Sequence, residues 1–118
     1  GYQTVIHPRL RKGERLFVQV PAYRGVAVRV MVDAKQAGII AWEPNEVDIT
    51  DFIQGSAANL QVEVLGHRRN SHGPLHFFLK QPIWTSPHQF VGDKQEWVDN
   101  YQLVPCGLMQ SPRLSVRR

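Results

Sequence analysis

Four valines at every second position, Val26, Val28, Val30 and Val32, narrow what this chain can fold into more than any other feature. Ala27, Arg29, Met31 and Asp33 fall between them. Successive side chains on a strand point to opposite faces, so this spacing builds one β-branched row, whereas a helix would scatter it around the axis. A second run repeats the pattern: Leu60, Val62 and Val64 alternate with Gln61, Glu63 and Leu65. The two runs are expected to be strands that share one core.

Punctuation divides the rest into further short strands. Tyr2–Ile6 reads as an edge strand closed by His7-Pro8, because proline cannot donate to a ladder. Arg11-Lys12-Gly13-Glu14 reads as a turn, and Leu16, Val18 and Val20 as a strand that Pro21 stops. Asp33–Gln36 is a tight reversal into a strand over 37–42, with Trp42 packed at the sandwich edge. Glu46–Ile49 is another short strand. Thr50 then suits a helix N-cap, with Asp51 in the first turn and Gly55 ending it. Closely spaced strands and turn signals predict an all-β sandwich of jelly-roll type, with one short helical turn.

The stretch from Gly66 to Asn100 breaks the rhythm. It holds His67, His72, His76 and His88, three prolines and two of the three tryptophans. Only 75–79 suggests a strand, so a long loop-rich insertion is expected, a feature often tied to function or to a covering partner. Strand character returns over 97–104, at Gly107–Met109, and around Leu114 and Val116.

At 118 residues the chain fits one domain, 1–118, and is too short for two full cores. No apolar run nears the ~20 residues that span a bilayer. The polar N-terminus has no apolar segment of the signal-peptide kind. Gly1 in place of an initiating Met points to a piece of something longer. The net charge of +4 comes from scattered arginines without a basic, aromatic-interleaved face, which argues against nucleic acid as a partner. A lone Cys106 can form no internal disulfide.

The order V-x-V-x-V-D-A-K-Q-A-G, W-E-P, E-V-D-I-T-D-F-I-x-G and N-L-x-V-E-V resembles the galactose-binding-like jelly-roll modules of glycoside hydrolases, among them β-galactosidases, β-glucuronidases and rhamnosidase-like enzymes. H-R-R-N-S-H-G-P-L-H and Y-Q-L-V-P-C-G-L-M-Q-S-P resemble more specifically the C-terminal module of large multidomain bacterial glycosidases. Ala34 and Lys35 stand where that pattern has Asn and Gly, and Leu75 where it has the first of two histidines. The resemblance implies a galactose-binding-like β-sandwich that is not an enzyme by itself. It implies an accessory module of a carbohydrate-active enzyme, in the same chain as a glycoside hydrolase catalytic domain. The setting is then secreted or periplasmic, as part of that larger enzyme. Such modules dock on the catalytic domain or bind glycan, and family likeness does not choose between the two.

The residues bear on that choice. Glycosidases flank the sugar bond with two carboxyl groups roughly 5–9 Å apart. The candidates Glu43, Glu46, Asp48 and Asp51 have structural uses in the strand and turn just described, so no catalytic residue is assigned. His72 and His76 are four apart, but Gly73-Pro74 between them breaks a helix, and no Cys pair completes a zinc spacing. No metal ligand and no cofactor is assigned; a structural calcium held by carbonyls and carboxylates would leave no sequence signature. For glycan binding, Arg69, Asn70 and His72 could bond hydroxyls while Trp84 or Trp97 stacks on a ring. The structural alternative has Arg69 and Asn70 satisfying carbonyls of the long loop, and the tryptophans meeting a neighbouring domain. Docking through the 66–100 region is the first expectation, and carbohydrate binding the second.

Overall fold

In the computed structural model, residues 1–77, 87–90 and 96–118 are described. Contacts within the chain group them into two compact units, residues 1–66 with 106–118, and residues 67–105.

The first unit is an all-β sandwich built of antiparallel sheets. One sheet has the order β1(Tyr2–Ile6), β7(Ala58–Leu65), β4(Ala27–Val32), β5(Lys35–Ile40). The second has the order β6(Glu46–Asp48), β2(Arg15–Gln19), β9(Arg113–Arg117), and β3(Tyr23–Arg24) pairs with β8(Gly107–Leu108). The two alternating runs are direct neighbours: Val30 lies opposite Val62, and Val32 opposite Leu60. Val28, Val30 and Val32 are fully buried, and Leu60 and Val62 nearly so. Leu16, Val18, Val20 and Ile49 close the core from the other side. On the outer face of the first sheet, Arg29 donates from Nε to Glu63 at 2.8 Å across the same strand pair.

The β4–β5 hairpin turns on two residues, Asp33 and Ala34, with φ of +47° and +66°. Two left-handed residues in a row match the right-handed twist of the flanking strands. Neither is glycine, so the turn leans on tertiary bonds: Asp33 N donates to Asn59 O at 2.9 Å, and Asn59 N donates to Asp33 Oδ1 at 2.8 Å. Where β5 passes β6, a Cβ on Gly38 would lie 2.7 Å from Val47 Cγ1, so only glycine fits without a shift.

Several expectations need correction. Val26 precedes β4 and is 66% exposed, so the core row begins at Val28. Trp42 lies beyond β5 and is 80% exposed, with no packing at a sandwich edge. Thr50 does not cap: it is the first residue of the 3-10 turn Thr50–Phe52, whose N-cap is Ile49. Its hydroxyl instead accepts from Leu16 N at 2.8 Å and donates to Asp48 Oδ1 at 2.6 Å.

In the second unit, α1(Arg69–His72) and a 3-10 turn at Pro87–Phe90 add to the single helical turn expected. The strand expected over 75–79 appears only as a bridge between Phe77 and Trp97, with 78–79 outside the described residues. Residues 98–104 are not strand.

Candidate functional site

Three of the four candidate carboxylates, Glu46, Asp48 and Asp51, are turned to structure. Asp48, at the end of β6, takes the Arg15 guanidinium on Oδ2, and its Oδ1 accepts from the Thr50 backbone N at 3.0 Å and from the Thr50 hydroxyl. Burial raises the Asp48 carboxyl, but the Arg15 bond and the two Thr50 bonds outweigh it and bring it down to about 2. Asp51 joins the same guanidinium at 3.1 Å. Glu46 receives both Arg117 nitrogens, at 2.7 and 2.6 Å, and Gln19 Nε2 at 3.1 Å, and its carboxyl is lowered chiefly by the Arg117 bond. A glycosidase acid needs its carboxyl raised toward neutrality, the opposite direction. These side chains tie β2, β6 and β9 together.

The sandwich is open along one side. Val18 lies opposite Leu114 and Leu16 opposite Val116, so all four point to the core face. Leu16 and Val18 are buried, yet Leu114 is 47% and Val116 52% exposed. On the other sheet's edge, Tyr2 and Thr4 sit opposite Val62 and Leu60 and face the same way. Between the β1 and β9 edges runs an apolar groove of about 240 Å³, lined by Tyr2, Thr4, Val18, Leu60, Val62 and Leu114.

The residues proposed from sequence for sugar contact belong to the second unit. Arg69, Asn70 and His72 share α1. Both ends of the Asn70 amide are spent on Val104: Nδ2 donates to its carbonyl and Oδ1 accepts from its N–H, each at 2.8 Å. Arg69 reaches the Pro74 carbonyl at 3.5 Å, and Gly73 packs so close to it that a Cβ would fall 2.3 Å from Arg69 O. His72 is exposed, with Nδ1 at 2.7 Å from Ser71 Oγ. Asn70 thus joins two segments 34 positions apart in sequence. Trp84 lies outside the described residues.

Trp97 sits elsewhere in this unit and shares no hydrogen bond with Asn70 or His72. Its ring stacks on His76 at 4.6 Å with planes 16° apart, and Tyr101 meets the same imidazole at 5.0 Å. Backbone bonds fix the arrangement: Val98 N donates to His76 O at 2.8 Å, and Gln102 N to Leu75 O at 2.7 Å. Trp97 is 50% and Tyr101 67% exposed. Sequence reading did not bring His76 to Trp97 and Tyr101, because nothing in the sequence links His76 to residues 21 and 25 positions away. Among the described residues no three His, Cys, Asp or Glu side chains gather as metal ligands.

No protein-family model and no curated protein matches the sequence. The fold is similar to part of the solved rhamnosidase from Novosphingobium sp. PP1Y, with a TM-score of 0.64 and 18% sequence identity. The likeness covers 98% of this chain and 10% of the rhamnosidase chain, so this chain spans only a small part of that enzyme's length.

Proposed function

We propose that this chain is a non-catalytic accessory module of a carbohydrate-active enzyme, packed against a glycoside hydrolase catalytic domain in the same polypeptide. The observation that carries the reading is the match of nearly the whole chain to a tenth of a rhamnosidase, a large enzyme in which the rest is free to hold the chemistry. The ion-paired state of Glu46, Asp48 and Asp51 supports a structural use for these carboxylates. The groove between the β1 and β9 edges is a docking face in addition to the 66–100 region that the sequence suggests. It offers Leu114, which shares a core-facing row with Val116, and an apolar surface from the catalytic domain completes the layer there. Burying the exposed halves of these two side chains contributes about 1.5–3 kcal/mol.

Leu114→Glu tests this. Leu114 is half-buried on the groove wall, so the isolated chain is expected to lose about 1 kcal/mol and roughly 4–6 °C of Tm while still unfolding in one transition. In the polypeptide that the reading frame encodes, the same change is expected to split one cooperative thermal transition into two. A single unshifted transition in that polypeptide contradicts docking through this groove.

A further inference from the structure

The sandwich faces a sheet of four strands with a sheet of three. At one side β5 passes β6 so closely that Gly38 meets Val47, and the two sheets close on each other. At the other side lies the groove, where Tyr2, Thr4 and Ile6 of β1 turn toward the core face and β9 is the edge of the shorter sheet. The register shows how the β9 backbone is spent. Ile49 N donates to Leu16 O at 2.9 Å and Val20 N to Asn45 O at 2.8 Å, so Leu16 and Val20 turn their peptide groups to the β6 side. Peptide groups alternate in direction along a strand, so Arg15, Phe17 and Gln19 turn theirs to β9, onto Arg117, Ser115 and Arg113. Leu114 and Val116 are left with N–H and C=O aimed out of the sheet, and their side chains are half-exposed on the core-facing row. An edge in this state is a template for a further strand.

We infer that an extended segment of the enzyme to which the proposed reading assigns this chain adds to β9 as the fourth strand of its sheet; the inference rests on that reading. The segment bonds the free peptide groups of Leu114 and Val116 through its own backbone. Its residues opposite those two point to the core face, over the β1 side chains in the groove, and are apolar. An apolar surface of any other form would cover the same peptide groups and leave them unpaired, which is costly. Charge specifies one more position. Arg113 is exposed at the groove and joins no ion pair among the described residues, whereas Arg117 is held by Glu46. The segment therefore carries an Asp or Glu on its solvent face, opposite Arg113.

Residue-resolved amide exchange, on the 118-residue chain and on the whole enzyme, tests the added strand. In the chain alone the Leu114 and Val116 amides are expected to exchange at least about tenfold faster than those of Ser115 and Arg117. In the whole enzyme both are expected to slow by about a hundredfold or more. Val116→Pro removes an outward donor and no bond to β2, a change that an edge strand tolerates. It is expected to split the enzyme's thermal transition as Leu114→Glu does, while Val116→Thr leaves the transition single. Arg113→Glu breaks no ion pair of the described residues and reverses the charge that faces the segment, so it is expected to split the transition too. It also serves if the proline variant does not fold. Two failures are distinguishable. If Leu114→Glu splits the transition while Leu114 and Val116 exchange as fast in the enzyme as in the chain alone, docking stands and the added strand is overturned. If Leu114→Glu leaves one unshifted transition, the docking itself falls and the strand with it. Slowed amides with Val116→Pro and Arg113→Glu both docking like wild type also overturn the strand, because exchange then reports only covering.

Discussion

Ile49→Ala is expected to lower the unfolding free energy by about 3–4 kcal/mol, much of what a domain of this size holds. Ile49 is fully buried, and its backbone N donates to Leu16 O at 2.9 Å, which anchors it between the sheets just past β6. The substitution removes three carbons, about 0.8 kcal/mol each in transfer terms, and leaves a cavity that two sheets cannot collapse to fill. Urea denaturation measures it: the midpoint falls with the m-value unchanged. Ile49→Val should cost about 1 kcal/mol. A loss under about 1 kcal/mol for the alanine variant would mean that Ile49 is not in the closed core.

Asp48→Asn is the second large effect, about 1–2 kcal/mol at neutral pH after allowance for solvent around a partly exposed pair. Its carboxyl titrates at about 2 in the folded chain against an ordinary 3.8. On acidification the unfolded chain therefore takes up the proton first. The carboxylate's contribution is full above the ordinary value, and it is lost as pH falls from there through the folded value near 2. Wild type and Asp48→Asn should differ in urea midpoint at pH 7 and converge near pH 2. A constant difference across that window would show that the variant acts through shape and not through charge.

The strands were legible because valines at a two-residue beat leave no other regular structure, and because proline and glycine mark each stop. The beat does not say where the opposing layer ends. Val26 continues the row of Val28 and Val30 yet is exposed, and Leu114 and Val116 alternate like core residues along an open edge. Trp42 carries the same lesson. The tight turn at Asp33-Ala34 was legible as a reversal, but its left-handed backbone was not, since the stabilising Asn59 lies 26 residues away. In the second unit, α1 is one turn long and too short to show a period. Asn70 was visible as an amide, but its partner Val104 is distant in sequence, as His76 is from Trp97.

On the proposed reading, the most direct measurement deletes these 118 residues from the enzyme to which that reading assigns them, then follows kcat/KM on an aryl glycoside together with the Tm of what remains. A docked, non-catalytic sandwich predicts a lower Tm, with turnover retained per folded molecule. Turnover lost while the Tm stays in place, or neither quantity changing, would contradict it.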